Sequence, residues 1–392
     1  MRILQLTPRL PYPPTDGGRV VMLQIGRALQ RLGADVHVLS LNPRKQHADV
    51  ARMPLPATAI DIDTGAHLAA LWRAFRLGAP QLVARFYSPR FADALRELLR
   101  TGRFDVVQIE SPFLLPYLPL IRESNAVSVL RSLNVEFRIW EQLAARERNF
   151  VKRIARLAIA RSLRRYEIGT LDACDALVPI TEDDAREFRA LGCTRPMHVL
   201  PGGVELEPLD RSSERPSAVG FLGSLDYRPN QEAALWIAEE LQPRIVVAEL
   251  HVGGSNAPAW LRARLGGTFV PEVPDAAAFL RSMTVVVSPL FAGGGMRIKI
   301  LEAMALGKAV VSTTIGASGL DVTHGENIVI ADDAASFAAA VQELLREPSR
   351  AVAIGDAGRR FVETRYATDT LARGLLAFYE ELLQSRGVRA RR

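Results

Sequence analysis

The stretch VVVSPLFAGGGMRIKILEAMALGKAVVS, residues 285–312, decides how the rest of the chain is read. It opens on the β-branched run Val285, Val286, Val287 and closes on Val310 and Val311. Between them stand Gly293, Gly294 and Gly295, then a helical pattern with Ile298, Leu301, Ala305 and Leu306 on one face and Gly307 as a stop. That order predicts strand, glycine loop, helix, strand. A glycine loop feeding a helix N-terminus offers unpaired N–H groups and the positive end of the helix dipole, which suits a phosphate. Arg297 and Lys299 add two full positive charges near the first turn. The dipole favours cations at the other end of a helix, so an anion is the simplest reason for two here.

Alone, the glycine triplet reads equally as a flexible loop, and the cations as a solvated face. The order of the parts shifts the balance, because a carboxylate, Glu302, follows one turn into the helix. A carboxylate accepts two hydroxyl hydrogen bonds, and a ribose presents two hydroxyls. The stretch resembles the donor-binding motif of the retaining GT-B glycosyltransferases of glycosyltransferase family 4. That family carries two glutamates eight positions apart, the second in a run L-E-A-M-A-x-G-x-P-V. Leu301-Glu302-Ala303-Met304-Ala305-Leu306-Gly307-Lys308-Ala309-Val310 matches all of it but the proline. Gly294 stands where the first glutamate is expected, and a G-G-G-x-R-x-K run precedes the L-E-A-M, as in a sub-pattern of the family.

Composition bounds the alternatives. The chain has 392 residues, room for two domains of ordinary size, and its 48% hydrophobic and 23% charged residues are those of a globular protein. No apolar run reaches the ~18–20 residues of a membrane span. The start, MRILQLTPRLP, is a buried-strand pattern followed by prolines and lacks the features of a signal peptide. Cys174 and Cys193 give no disulfide framework and no metal-ligand spacing. The expected setting is the cytoplasm or the inner face of the plasma membrane. A net charge of +6 suits nucleic acid, an anionic membrane or an anionic substrate. No basic stripe with interleaved aromatics or nucleic-acid motif accompanies it, which leaves the membrane and the substrate.

The N-terminal half begins like half of a Rossmann fold: an apolar strand from Ile3 to Leu6, then Asp16-Gly17-Gly18, a helix stopped by Gly33, and a second strand. G-x-G-x-x-G is absent and no acid ends the second strand, against a nicotinamide dehydrogenase. Gly17 and Gly18 would border the ligand crevice at the end of the first strand; the plain alternative is a turn. By the resemblance they correspond to the family's N-terminal glycine loop. Asp61-Ile62-Asp63 spells a D-x-D, but nothing around it supports the different fold in which that triplet binds a divalent cation. Arg131-Ser132-Leu133-Asn134-Val135-Glu136 lies where family members read H-N-V-E, with Leu133 in place of the histidine. Glu110, Asn134 and Glu136 are therefore candidates for acceptor contacts or, equally, for helix caps.

Residues 150–166 carry six Lys/Arg and no acid, with Val151, Ile154, Ala155, Ala158 and Ile159 gathered roughly on the opposite side of a helix. Such a helix can lie on an anionic bilayer or pack its apolar side on the core. Trp72, Arg73, Phe75 and Arg76 form a smaller basic-aromatic cluster of the same kind. Pro201-Gly202-Gly203-Val204-Glu205 resembles the linker between the two GT-B domains.

In the second half, Phe221-Leu222-Gly223-Ser224-Leu225-Asp226-Tyr227-Arg228-Pro229-Asn230 is a strand end, a glycine and a polar turn before a helix. Many family members supply an arginine and a lysine to the donor diphosphate here; only Arg228 matches, and Arg297 and Lys299 are expected to compensate. The resemblance thus implies two Rossmann-like α/β domains facing each other across a cleft. The expected domains are 1–204 on the acceptor side and 205–367 on the donor side, with a last helix, 368–392, returning to the first. It implies transfer of a sugar from a nucleotide sugar to a saccharide or lipid-linked acceptor, with retention and with neither metal nor cofactor. Arg297, Lys299 and Arg228 would hold the diphosphate and Glu302 the ribose. Gly293, Gly294, Gly295 and Gly223 would lie near the donor, with Gly17 and Gly18 in the other domain. Two rival readings of the same pattern stand: a sugar-nucleotide epimerase, and a non-catalytic binder of nucleotide sugars or of a partner transferase.

Overall fold

The computed structural model describes the chain except residues 15, 16, 66, 67, 146, 148, 246, 247, 272, 293–296, 391 and 392. The chain divides into two compact units, Met1–Pro201 with Leu371–Arg392, and Gly202–Thr370. Each is built on a six-stranded sheet whose strand pairs are all parallel.

In the first unit β1 (Arg2–Thr7), β2 (Asp35–Pro43), β3 (Ala57–Ile62), β4 (Val106–Ile109), β5 (Val127–Ser132) and β6 (Ala176–Pro179) stand in the order β3-β2-β1-β4-β5-β6. Both faces are covered, so the strands read as nearly unbroken apolar runs. Alternation still sorts them: Leu4 and Leu6 enter one core, and Ile3 enters the other with Val36, Val106 and Val127. The last helix, Thr368–Ala390, adds Leu375, Phe378, Tyr379 and Leu382 to that second core.

In the second unit β7 (Ala218–Leu222), β8 (Glu249–Gly253), β9 (Phe269–Val270), β10 (Val285–Ser288), β11 (Ala309–Ser312) and β12 (Val329–Ile330) stand in the order β12-β11-β10-β7-β8-β9. The strand read from residues 245 onward is shorter than its apolar pattern, beginning at Glu249. Val285, Val287 and Val311 face one core, and Val286 and Val310 the other. The helix Ile298–Ala305 lies on the second of these, with Ile300, Leu301, Ala303, Met304 and Ala305 all buried. Burial on nearly every side leaves Lys299 and Glu302 as its polar edge. Gly307 ends it at φ +67°, the left-handed conformation glycine adopts without strain, and its N–H donates to the Met304 carbonyl at 2.8 Å. Val204 pairs with Ala367 inside this unit, so the two points where the chain leaves it lie side by side.

Candidate active site

The order of the second sheet places a reversal between β7 and β10: the chain runs outward from β7 through β8 and β9, then returns to β10 beside β7 and continues outward the other way. In open parallel sheets, the loops leaving the carboxyl ends of the two strands at such a reversal diverge and leave a crevice for ligands. Gly223 follows β7, and residues 289–297 follow β10. The described candidate donor residues of the second unit, Gly223, Arg228, Arg297, Lys299 and Glu302, far apart in sequence, therefore all lie on the segments that follow the two strands of this reversal. The triplet Gly293, Gly294, Gly295 lies outside the described residues.

Side chains and backbone fix the loops around this point. Asn230, in the first turn of the helix Arg228–Trp236, donates to the Ser224 carbonyl at 2.9 Å, and Gln231 to that of Leu225 at 2.8 Å. The loops after β7 and β8 touch through backbone: Gly223 N–H donates to Gly253 O at 3.2 Å, and Leu225 N–H to Ser255 O at 2.8 Å. At Gly254 a Cβ would stand 2.0 Å from the Gly223 carbonyl oxygen, so only glycine fits there. On the other side, Ser312 Oγ donates to Ser288 O at 2.9 Å and Thr313 Oγ1 donates to Leu290 O, tying the loop after β10 to the end of β11. Sequence reading missed Asn230, Gly254, Ser312 and Thr313. The signal for Gly254, Ser312 and Thr313 was their place, polar or glycine at or just beyond the end of an apolar strand.

Arg297 stands just before the helix Ile298–Ala305 and is half-buried. Burial lowers its pKa from the ordinary value, and Tyr227, in the loop after β7, opposes that shift from nearby. An arginine stays charged in a protein, so this is a cation deprived of part of its water. An anion would restore what burial removes. Lys299 and Glu302 hold each other, Nζ to Oε2 at 2.7 Å, on the exposed edge of the same helix. Arg228 opens its own helix, with its side chain 86% exposed and its Nε 2.8 Å from Glu232. The structure thus brings Gly223, Tyr227, Arg228, Arg297, Lys299 and Glu302 to the loops and following helices of one reversal, with Lys299 and Glu302 engaged with one another.

The first sheet reverses between β1 and β4. Gly17 and Gly18 open the helix Gly17–Arg31 that follows β1, and a Cβ at Gly17 would meet open space. Their N–H groups belong to the unpaired first turn. Beyond β4, Glu110 is fully buried: Gln5 Nε2 donates to its Oε1 at 2.6 Å, Gln108 to the same oxygen, and Arg131 to Oε2 at 3.1 Å. Both oxygens are engaged inside the unit, so Glu110 is part of the sheet's interior, not an open contact for an acceptor. Asn134 hydrogen-bonds Glu136, whose carboxyl is pushed up by burial. Glu167 accepts from the N–H groups of Glu136 and Phe137 at 3.0 and 2.8 Å, capping the helix Glu136–Ala145 from a neighbouring helix. Burial nevertheless pushes the Glu167 carboxyl up to about 7.

The carboxylates of the D-x-D are occupied locally. Asp61 accepts from Asn42 at 3.1 Å and faces His47 at 3.3 Å, and Asp63 accepts from the Gly65 N–H at 2.9 Å. Among the described residues, no three His, Cys, Asp or Glu side chains cluster to hold a metal ion.

Residues 15–208 match the family described as Glycosyltransferase Family 4, and residues 216–347 that described as Glycosyl transferases group 1. The phosphatidyl-myo-inositol mannosyltransferase of Mycobacterium leprae is 25% identical, over 90% of this chain and 94% of that protein. Among solved structures, a sucrose-phosphate synthase from Thermosynechococcus elongatus superposes with a TM-score of 0.67 at 17% identity, over 98% of this chain and 100% of that one. The Anabaena protein HepE, solved in complex with UDP, gives 0.64 at 14% identity over 97% and 100%. At these identities the structures speak for the fold, and the sequence matches for the family. Two parallel sheets, each reversing at its middle, and sequence matches spanning both units identify the chain as a GT-B glycosyltransferase of the family 4 type.

Proposed function

We propose that the chain moves a sugar, with retention of anomeric configuration, from a nucleotide-diphosphate donor to a saccharide or lipid-linked acceptor in cell-surface polysaccharide or glycolipid assembly. The observation that carries this is the convergence of Gly223, Arg228, Arg297, Lys299 and Glu302 on the reversal of the second sheet. In this reading Arg297 and Lys299 take the diphosphate, Arg228 adds charge from the loop after β7, and Glu302 accepts the two ribose hydroxyls. Lys299 and Glu302 exchange their mutual contact for the ligand. A surface ion pair is worth only about 0.2–1 kcal/mol, so little opposes the exchange. Negative charge grows on the diphosphate as its bond to the sugar breaks, and fixed cations with a helix N-terminus then bind it more strongly than they bind the donor. The rest is placement: donor and acceptor are held in line, and no protein base need attack. Gly17 and Gly18 contribute N–H donors at the reversal of the first sheet.

The UDP in the HepE structure supports a nucleotide donor, and the name of the mycobacterial relative supports a lipid-linked acceptor. Gly294 and Leu133, standing where the family pattern has a glutamate and a histidine, favour a second reading as a nucleotide-sugar binder without transfer. A thermal-shift screen of UDP, GDP and their sugars tests the proposal. A ligand at a hundred times its Kd adds about 2.7 kcal/mol to stability, and a nucleotide diphosphate is expected to raise Tm where the bare nucleoside does not. No shift from any nucleotide removes both readings. Donor binding without turnover on any saccharide selects the second, and turnover without an acceptor points to an epimerase.

A further inference from the structure

The helix Phe150–Thr170 turns the wrong face outward for a helix that exists only to cover a core. Its buried side is Ala160, Leu163 and Glu167, whereas Phe150 and Val151 are each 73% exposed and Ile154 is 51% exposed. Ala155 and Ala158 are exposed as well, so of the five apolar positions gathered on one side only Ile159 is even half-buried. Phe150, Ile154 and Ala158 follow one another at four-residue spacing along a single stripe, and Arg161 and Arg165 continue it. Arg156 reaches across to the Leu143 carbonyl at 2.8 Å, which brings the exposed Leu143 of the helix Glu136–Ala145 to the edge of the patch.

The exposed charges of the helix itself are all cations. Arg156 pairs with Glu147 at 2.8 Å and Arg164 lies over the Phe137 ring at 5.8 Å. Lys152, Arg153, Arg161 and Arg165 are exposed and form no ion pair among the described residues. The helix's acid, Glu167, is buried and spent on capping its neighbour. Large apolar side chains bordered by unbalanced cations match a surface that is apolar just beneath a layer of anions. A lipid bilayer with acidic headgroups has that profile. No helix among the described residues is long and apolar enough to cross a membrane, so the contact is one of lying on the surface.

We propose that this helix docks the chain on an anionic bilayer. Phe150, Val151, Ile154 and Leu143 enter the boundary between headgroups and acyl chains, and Lys152, Arg153, Arg161 and Arg165 meet lipid phosphates. The docking rests on the transferase reading only for its purpose, access to a lipid-linked acceptor; the residues that carry it belong to this surface alone.

The test is co-sedimentation of the full chain with vesicles of phosphatidylcholine containing phosphatidylglycerol, beside vesicles of phosphatidylcholine alone. Binding is expected to the first and not the second, and to weaken with added salt. Phe150→Ser with Ile154→Ser, and separately Arg161→Glu with Arg165→Glu, are each expected to lower it by about tenfold or more. Both variants should melt with the wild type, because the replaced side chains are exposed. Four outcomes overturn the proposal: no binding to either vesicle, equal binding to both, variants that bind like the wild type, or a patch that instead holds two copies together. The last would appear as a dimer in sedimentation that Phe150→Ser with Ile154→Ser dissociates. Nucleotide-induced stabilisation, measured on the same variants, is expected to be unchanged. Vesicle binding without any nucleotide response would therefore strike the transferase reading and leave the docking surface standing, and the converse holds.

Discussion

In the proposed reading a ligand competes with the Lys299–Glu302 contact, and this sets what single substitutions should do. Their 2.7 Å contact is partly exposed, so losing it changes stability little. The effect of Glu302 belongs in ligand discrimination. If Glu302 holds ribose hydroxyls, the wild type binds a ribonucleotide diphosphate more tightly than its 2′-deoxy analogue, and Glu302→Gln narrows that preference by about tenfold, the worth of a charged hydrogen bond. Calorimetric titration of the two nucleotides into both proteins checks this; an undiminished preference in Glu302→Gln would assign the ribose elsewhere. A second prediction concerns Glu167, whose folded pKa of about 7 lies above the ordinary 4.5. The protonated form therefore favours the folded state. Its contribution is whole below about 4.5 and lost as pH rises through about 7, a swing on the order of 3 kcal/mol. Urea midpoints measured across that window should fall more steeply with pH in the wild type than in Glu167→Gln. The sequence marked Arg297 and Lys299 because cations sit oddly at a helix start, and Glu302 because a carboxylate that could accept ribose hydroxyls follows them. It did not mark Tyr227 or Glu167, whose roles depend on neighbours brought together only by folding.

At the scale of elements, the loops after β7 and β8 are tied so closely that one methyl group should loosen the site. Gly254→Ala puts a Cβ 2.0 Å from the Gly223 carbonyl oxygen and must displace backbone. A cost of about 1–3 kcal/mol is expected for such overpacking, with a weaker nucleotide response measured in the same thermal-shift series. The same shift in Tm with full nucleotide binding would show that the β7 loop lies apart from the ligand. The strand–helix–strand around residues 285–312 was legible because two valine runs, a four-residue apolar spacing and a left-handed glycine agree with one another. The helix Phe150–Thr170 was legible as a helix but not in its orientation. Periodicity says which residues share a face, and only the neighbouring elements decide which face is covered. Strands as short as β9 and β12, two residues each, leave no pattern to read.

At the scale of the whole chain, 392 residues left room for two domains and the first strand, glycine turn and helix read as half of a Rossmann fold, but the pair of α/β units was expected through the resemblance. Their strand orders, and so the reversals that place the site, depend on pairing between distant segments and were expected only through resemblance. The pairs β1–β4 and β10–β7 are the ones that make each reversal. The charge that a metal would bring is assigned here to Arg297 and Lys299, so treatment with a chelator is expected to leave nucleotide-induced stabilisation unchanged; its loss would mean that a divalent cation shares the diphosphate. The central claim, that a nucleotide diphosphate is gripped where the second sheet reverses, is met most directly by titrating UDP and GDP into the wild type and Arg297→Ala. At least one is expected to bind the wild type, and the substitution to weaken it by about tenfold or more, since a charged hydrogen bond to phosphate is worth about 1.5–3 kcal/mol. Failure of every nucleotide diphosphate to bind, or equal affinity in Arg297→Ala, would contradict it.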